Sequence, residues 1–266
     1  MADEERGSSG PPVVPPTPDL AASVFGERLA LAEEFVAVLA DTGISHGLIG
    51  PREAARLWDR HVLNCAVVHT AIPVAGDGQQ VVDVGSGAGL PGLAIAIARP
   101  DLHVHLIEPL ARRTGWLSGT IAHLGLENVT VHTARAEALW DTVHAPWVTA
   151  RAVSGIVRLA EWTLPLLTPR GNVLALKGSR ARDELEENRT ALTRLGVVDA
   201  AVEEYGAEIL ADPTIVLRLT IGEGVDRRRF RSRAPSSAGS ARRRADRPRG
   251  SRRIGPASGR RRPHQT

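Results

Sequence analysis

A chain of 266 residues that is 42% hydrophobic holds enough apolar material for one large α/β domain or two small ones without covalent staples. Its single cysteine, Cys65, excludes an intrachain disulfide scaffold and points to a reducing compartment. The net charge of +3 conceals a partition: residues 225–266 carry 15 Arg against Asp226 and Asp246, a balance of +13, which leaves the first 224 residues at −10.

At the N-terminus Asp3, Glu4 and Glu5 stand where a signal peptide would be positive, and no apolar core of such a peptide follows. No stretch approaches the roughly 18 apolar residues of a membrane-spanning helix, so a cytoplasmic protein without membrane attachment is expected. Pro11, Pro12, Pro15, Pro16 and Pro18 interrupt any regular element and predict a disordered leader over 1–18. Residues 19–75 read as a helical extension. Leu31, Phe35, Val38 and Leu39 recur at helical spacing among Glu27, Arg28, Glu33 and Glu34, predicting an amphipathic helix that stops near Gly43. Pro51 opens a second helix, carrying Arg52, Leu57, Trp58, His61, Val62 and Cys65 towards His69.

After the turn at Gly76-Asp77-Gly78, residues 76–224 alternate short apolar runs with helical patterns. The runs lie at 81–84, 104–107, 129–131, 147–150, 173–176, 197–202 and 215–221; helices are predicted near 93–98, 113–124, 136–139, 156–167 and 180–195. This alternation predicts a seven-stranded, mainly parallel, doubly wound sheet covered on both faces. The last two runs are joined without a convincing helix, which predicts an antiparallel final pair. Beyond Val225 only Phe230 and Ile254 join Val225 as large apolar groups, so 225–266 reads as a disordered Arg-rich tail.

The most informative segment is Val81-Val82-Asp83-Val84-Gly85-Ser86-Gly87-Ala88-Gly89-Leu90-Pro91-Gly92, a strand entering a glycine-rich turn and then a helix. Gly87 to Gly92 satisfies the G-x-G-x-x-G pattern of dinucleotide sites, but those glycines begin three residues after the strand instead of at its edge. A nucleoside methyl-donor site fits better. Asp83 stands two positions before the first glycine. Glu108 closes the second strand, where a ribose would find its acceptor, and Ala136-Glu137 follows the third strand at the place of an adenine loop. S-adenosylmethionine is the cofactor this constellation predicts, with Asp83, Gly85, Gly87, Glu108, Ala136 and Glu137 around it.

On these residues the chain resembles the bacterial 16S ribosomal RNA guanine-N(7) methyltransferases of the small-subunit methyltransferase G family, also called glucose-inhibited division protein B. The resemblance spans about residues 24–221. It rests on Arg60-His61-Val62-Leu63-Asn64-Cys65, the glycine segment with its distinctive Leu90-Pro91-Gly92 extension, Arg135-Ala136-Glu137, Thr149-Ala150-Arg151-Ala152-Val153 and Leu176-Lys177-Gly178. It implies a class I S-adenosylmethionine methyltransferase fold with a helical N-terminal extension, and cofactor contacts at Gly85, Leu90, Glu108, Ala136, Glu137 and Arg151. It implies 16S ribosomal RNA or the small subunit as partner, and a monomer. The chain departs from relatives in carrying Arg112-Arg113 where a Lys-Arg pair is frequent. It also has Asp212-Pro213-Thr214 where a basic residue precedes the final strand in several of them.

Guanine N(7) presents an in-plane lone pair and has no proton to lose, so its methylation needs in-line positioning and no general base. Positive charge moves into the purine, which a neighbouring cation would oppose. Arg151, Lys177 and Arg135 end up near carboxyl ends of strands and are the candidate catalytic side chains. Their expected roles are binding the cofactor carboxylate, pairing with Glu137 or Glu108, or gripping RNA phosphate. Arg52, Arg56, Arg60 and His61 share a helical face and offer a further RNA contact or simply a solvated surface. His103 and His105 alternate onto one strand face without other metal ligands at suitable spacing, and no metal site is predicted. Cys65 lies in an apolar helix and is not expected to act as a nucleophile. Two other readings stay open on the residues alone, a small-molecule methyltransferase and a non-catalytic RNA-binding module. The first lacks a base or metal to activate its nucleophile, and the second leaves the cofactor constellation unused.

Overall fold

The computed structural model describes residues 14–151 and 154–231. Positions 1–13, with most of the expected leader, Ala152 and Val153, and positions 232–266 of the Arg-rich segment lie outside the described residues. All seven apolar runs are strands of one sheet: β1 (Gln79–Val84), β2 (Leu102–Ile107), β3 (Val129–His132), β4 (Ala145–Arg151), β5 (Leu167–Leu176), β6 (Val197–Tyr205) and β7 (Thr214–Ile221). Their order is β3-β2-β1-β4-β5-β7-β6. Strands β1 to β5 pair in parallel, and β7 runs antiparallel to both β5 and β6. Residues 206–213 leave no room for the crossover a parallel β6–β7 pair would require.

The helices are α1 (Ala21–Phe25), α2 (Leu29–Val38), α3 (Asn64–Ala66), α4 (Gly92–Ala98), α5 (Ala111–Leu124), α6 (Ile156–Thr163), α7 (Ala181–Leu195) and α8 (Arg227–Arg231). The two-residue period of the strands sorts side chains onto two cores. Val81, Val104, Leu106, Leu174 and Val216 face the side covered by α4, α5 and the N-terminal extension, where Phe35, Leu57 and Val62 are fully buried. Val82, Ile107, Val173, Ala175 and Leu217 face the other side, beneath Ile156 and Leu159 of α6 and Leu185 and Leu192 of α7. Both faces being dry explains why these strands read as continuous apolar runs.

The N-terminal extension departs from the expected pair of regular helices. From Pro51 the chain winds as a 3₁₀ segment to Arg56, widens to π-type over Leu57–Leu63, passes through α3 and tightens again over Val67–Ala71. Buried residues at 57, 58, 62, 63, 65, 66, 67 and 68 encircle the axis, more than one stripe of a regular helix supplies, so the winding adjusts to seat them. Two polar ties fix this extension to the sheet. Arg99, 8% exposed, donates to the Ile72 carbonyl at 2.8 Å and pairs with Asp101 at 2.6 Å. Asn64 Nδ2 donates to Thr214 Oγ1 at 2.7 Å, and that hydroxyl donates to the Asn64 carbonyl at 2.8 Å.

Two further expectations are corrected. The helix predicted near 136–139 is a single turn, Ala136–Ala138. The Arg-rich segment read as disordered from 225 begins instead with α8: Phe230 is 2% exposed and meets Trp140 edge to face at 6.2 Å, Arg227 Nε donates to the Pro165 carbonyl at 2.9 Å, and Arg231 pairs with Asp141. One large apolar ring finding an aromatic seat offsets the ordering of a single turn, which composition averaged over 42 residues does not reveal. No helix among the described residues is long and apolar enough to cross a membrane.

Candidate functional site

From β1 the strand order proceeds through β2 and β3 on one side and β4 and β5 on the other, so the sheet changes direction between β1 and β4. Ligands of doubly wound sheets bind outside the carboxyl ends at such a point. Two cavities flank it here. A cleft of about 350 Å³ over β1, β2 and β3 is lined by Gly85, Ile107, Glu108, Leu110, Ala136 and Glu137, with Arg113, Arg135 and Trp162 at its walls. A second cavity of about 530 Å³, over β4 and β5, is lined by Arg60, Asn64, Arg151, Lys177, Arg180 and Glu184 among others.

The cleft is built by the glycine turn. Gly85 and Ser86 both donate their amides to the Ile107 carbonyl, clamping the turn to the end of β2. At Gly87 a φ of +54° rotates the amide toward Glu108, whose Oε2 accepts it at 3.2 Å. Glu108 Oε1 accepts from the Leu110 amide at 3.0 Å, and Arg113 Nη1 approaches Oε2 at 3.4 Å. The side chain is therefore fixed although only 2% of the residue is exposed. A carboxylate offers about four lone-pair sites, so Oε1 retains acceptor capacity.

Asp83 lies underneath and builds this turn without lining the cleft. It is fully buried, its Oδ2 accepts the Gly92 amide at 3.1 Å, and Oδ1 has no partner among the described residues. A Cβ at position 92 would collide with Leu106 and with the Asp83 carboxylate, so the approach of carboxylate to amide needs glycine there. Burial pushes the Asp83 carboxyl up to about 7, against the Gly92 amide and Ser86 and with the help of the Glu108 charge. Leu90 also stands behind the cleft, packed in the core under the N-terminal extension.

A carboxylate with spare acceptor capacity, a side-chain-free backbone at Gly85 and apolar walls at Ile107 and Ala136 suit a nucleoside, a diol at one edge and a flat ring at the other. The donor set thus fits the nucleoside half of S-adenosylmethionine.

The second cavity holds Arg151 and Lys177. Lys177 Nζ donates to the Ser154 carbonyl at 3.1 Å and pairs with Glu184 at 2.7 Å, while the other Glu184 oxygen accepts the Ile156 amide at 2.7 Å and so caps α6. Arg151 does not make the ion pairs with Glu108 or Glu137 that its place near the strand ends suggested. Its Nη2 donates to the Arg60 carbonyl at 2.8 Å and to His61 Nδ1 at 3.2 Å, and Nη1 to Cys65 Sγ at 3.2 Å. The winding of 57–66, π-type through Leu63 and then α3, brings these acceptors to the end of β4, a long-range meeting that strand–helix patterning does not contain.

The three basic candidates are therefore divided: Arg151 and Lys177 share the second cavity, and Arg135 is exposed at the rim of the cleft. Sequence reasoning missed Glu184, which stands in the first turn of α7, and Leu110 at the cleft, and it gave Arg113 only as a departure from relatives with no place in the site. Only the acid at a helix start was a readable signal.

The remaining candidates settle into structural surroundings. The Cys65 thiol, buried beneath Arg151, is pushed up to about 11 by that burial, which removes it as a nucleophile near neutral pH. His103 meets Thr130 Oγ1 at 2.9 Å, and His105 sits between Gln80 Oε1 at 2.6 Å and His132 Nε2 at 3.0 Å. No group of three or more His, Cys, Asp or Glu among the described residues is arranged to hold a metal ion. Of the expected basic face, Arg60 lines the cavity, and Arg52 and Arg56 are exposed outside it.

A Pseudarthrobacter chlorophenolicus protein named ribosomal RNA small subunit methyltransferase G is 51% identical over 203 residues, which is 76% of this chain and 93% of the relative. A Streptomyces avermitilis protein of the same name is 45% identical over 232 residues, 86% of this chain and 95% of the relative. Among solved structures, a SAM-dependent methyltransferase from Aquifex aeolicus superposes with a TM-score of 0.47 at 17% identity over 65% of this chain and 99% of that one. The family model described as GidB, rRNA small subunit methyltransferase G, matches residues 28–212. With the glycine turn, the Glu108 cleft and the helical extension from Arg28 onward inside that match, the chain belongs to the rRNA small subunit methyltransferase G family.

Proposed function

We propose that this protein transfers a methyl group from S-adenosylmethionine to N(7) of a guanine in 16S ribosomal RNA, as a cytoplasmic monomer acting on the small subunit or its RNA. The observation that carries the reading is the pairing of the Glu108 cleft with the basic cavity across the β1–β4 switch point. Glu108 holds the ribose hydroxyls, Gly85 and Ala136 give the cofactor room, Glu137 borders the adenine, and Asp83, Gly87 and Leu90 shape the turn from behind. Bound there, the cofactor supplies an electrophilic sulfonium methyl.

The residues of the chain supply alignment. Guanine N(7) attacks with a lone pair already free, so no side chain has to accept a proton, and the rate depends on holding base and methyl in line. Arg151 and Lys177 serve best on the phosphates flanking the base, because a cation over the purine would oppose the positive charge it gains. Arg135, at the cleft rim, is placed for a further phosphate.

The test is methyl transfer from isotopically labelled S-adenosylmethionine offered in parallel to small subunits, 16S RNA and a metabolite extract, with the modified base identified by mass spectrometry. Label in 7-methylguanine of 16S RNA is expected; label only in metabolites, or in another base, overturns the proposal.

Residues 1–231 carry a net charge of −7, and a chain portion of that sign needs help to hold a polyanion. We assign that help to the Arg residues of 232–266, as a non-specific electrostatic grip. Truncation after Ser232 is expected to weaken RNA binding and flatten its salt dependence with unchanged cofactor affinity. A truncated chain with the full-length salt slope would refute the grip.

A further inference from the structure

The guanidinium of Arg151 is held by an unusual set of acceptors, and one of them is a histidine whose protonation state the geometry specifies. A guanidinium only donates, so His61 Nδ1, 3.2 Å from Arg151 Nη2, must be the bare nitrogen of the ring. The proton then resides on Nε2, which lies 3.0 Å from Glu53 Oε2, an acceptor. The two contacts demand the same tautomer, and Glu53, His61 and Arg151 form a one-directional chain in which the carboxylate fixes the ring and the ring fixes the guanidinium. Arg60 contributes twice, with its carbonyl accepting from Arg151 and its side chain 3.5 Å from Glu53.

We infer that His61 is a positioning residue for methyl transfer, holding Arg151 at the wall of the basic cavity through its unprotonated Nδ1 while Glu53 holds its Nε2–H. This rests on the reading that the cavity receives the RNA. The groups facing His61 are Glu53 and Arg60 from its own segment, Arg151 from β4 and, through Glu53, Arg56. Protonation would place an N–H against the Arg151 guanidinium, breaking the hydrogen bond and adding repulsion. Burial and the Arg151 charge both push the His61 pKa below its ordinary value, against the pull of Glu53, so the neutral ring persists through neutral pH.

Two substitutions divide the chain. In His61→Asn the side-chain oxygen falls near the position of Nδ1 and still accepts from Arg151, while Glu53 loses its partner. In His61→Gln the amide reaches the position of Nε2 and still donates to Glu53, while Arg151 loses its acceptor. The expected order of kcat/KM for 16S RNA is wild type, then Asn, then Gln, with Gln about tenfold or more below Asn and with cofactor affinity equal in all three. The acid limb of the wild-type pH profile, below the ordinary imidazole range, should be absent from the Asn variant. Two-bond proton–nitrogen spectra of ring-labelled protein at pH 7.5 should show the Nε2–H tautomer for His61.

Asn and Gln variants of equal activity, the reverse order, or an Nδ1–H or charged ring at that pH would overturn the inference. Arg151→Ala is the control for the underlying reading. Full RNA methylation in that variant shows that the reading of the cavity has failed. Lost methylation there, with His61 variants at wild-type level, shows that the relay alone has failed.

Discussion

The two cavities on either side of the β1–β4 switch point are built from opposite chemistry. The cleft over β1–β3 is organised by backbone: four amides, from Gly85, Ser86, Gly87 and Leu110, with the Ile107 carbonyl and the Glu108 carboxylate, all local in sequence or between adjacent strands. The cavity over β4–β5 is organised by side chains, with Arg151 reaching back across long sequence separations to Arg60, His61 and Cys65, and Lys177 held by Glu184 seven residues on. The first kind of site is fixed once the parallel sheet forms. The second depends on the N-terminal extension docking on the sheet, so its lining can vary without changing the hydrogen bonds that build the cleft. A family that keeps one cofactor while reading a particular RNA gains from that separation.

The sharpest way to break this comparison is to remove the carboxylate that defines the cleft. Glu108→Ala should weaken S-adenosylmethionine binding by about 30- to 3000-fold, the ~2–5 kcal/mol of truncating one partner in a buried, hydrogen-bonded charge set. RNA affinity measured without cofactor should stay within about twofold. Calorimetric titration and filter binding separate the two readouts, and a parallel loss of RNA affinity would show that the cavities are one site. The Gly87 and Leu110 amides lose their acceptor in this variant, so Glu108→Gln, which keeps an oxygen there, distinguishes a collapsed turn from a lost ribose contact.

A smaller effect is expected on the other side. Arg151→Ala and Lys177→Ala should each lower kcat/KM for 16S RNA by about 10- to 100-fold, the range of a charge-assisted hydrogen bond to phosphate at ~1.5–3 kcal/mol, with cofactor affinity intact. Full activity in either variant removes that residue from the site. Lys177→Arg should fare worse than its conserved charge implies. The compact ammonium sits between the Glu184 carboxylate and the Ser154 carbonyl, with its side chain 13% exposed, and a planar guanidinium does not occupy that position.

How much of this was legible in the sequence follows the same division. Strand runs, the antiparallel final pair, the glycine turn and the spacing of Asp83, Gly85 and Glu108 lie in short windows, where the two-residue period and turn chemistry speak directly. The winding of 51–71 was not legible, because apolar residues on every side satisfy a helical pattern without saying how the helix is wound. Nor was the Arg151–His61 contact, which joins residues 90 apart and comes from docking, not from periodicity. Phe230 shows the converse failure. A segment judged by its mean composition hid one ring whose seat, Trp140, lies on a different element.

The least perturbing test concerns the two acids that hold the glycine turn, which the structure treats differently. Glu108 has an amide on each oxygen and the Arg113 guanidinium on Oε2, whereas Asp83, in the dry core below, has one amide on one oxygen. Its carboxyl, raised from an ordinary 3.8 to about 7, keeps its proton in the folded protein over a range where the unfolded chain has lost it. The folded state then binds more protons, so stability falls as pH rises from about 4 to about 7 and levels off above. The slope from this one group is on the order of 1 kcal/mol per pH unit. Asp83→Asn carries no ionisable group and should remove that contribution. The difference between wild-type and variant unfolding free energies, measured in urea at intervals across pH 4.5–8, should therefore change steadily up to about pH 7 and then become constant. A difference independent of pH would mean that Asp83 is ionised throughout, and that the turn tolerates a buried charge which the Gly92 amide, Ser86 and the surrounding dipoles compensate.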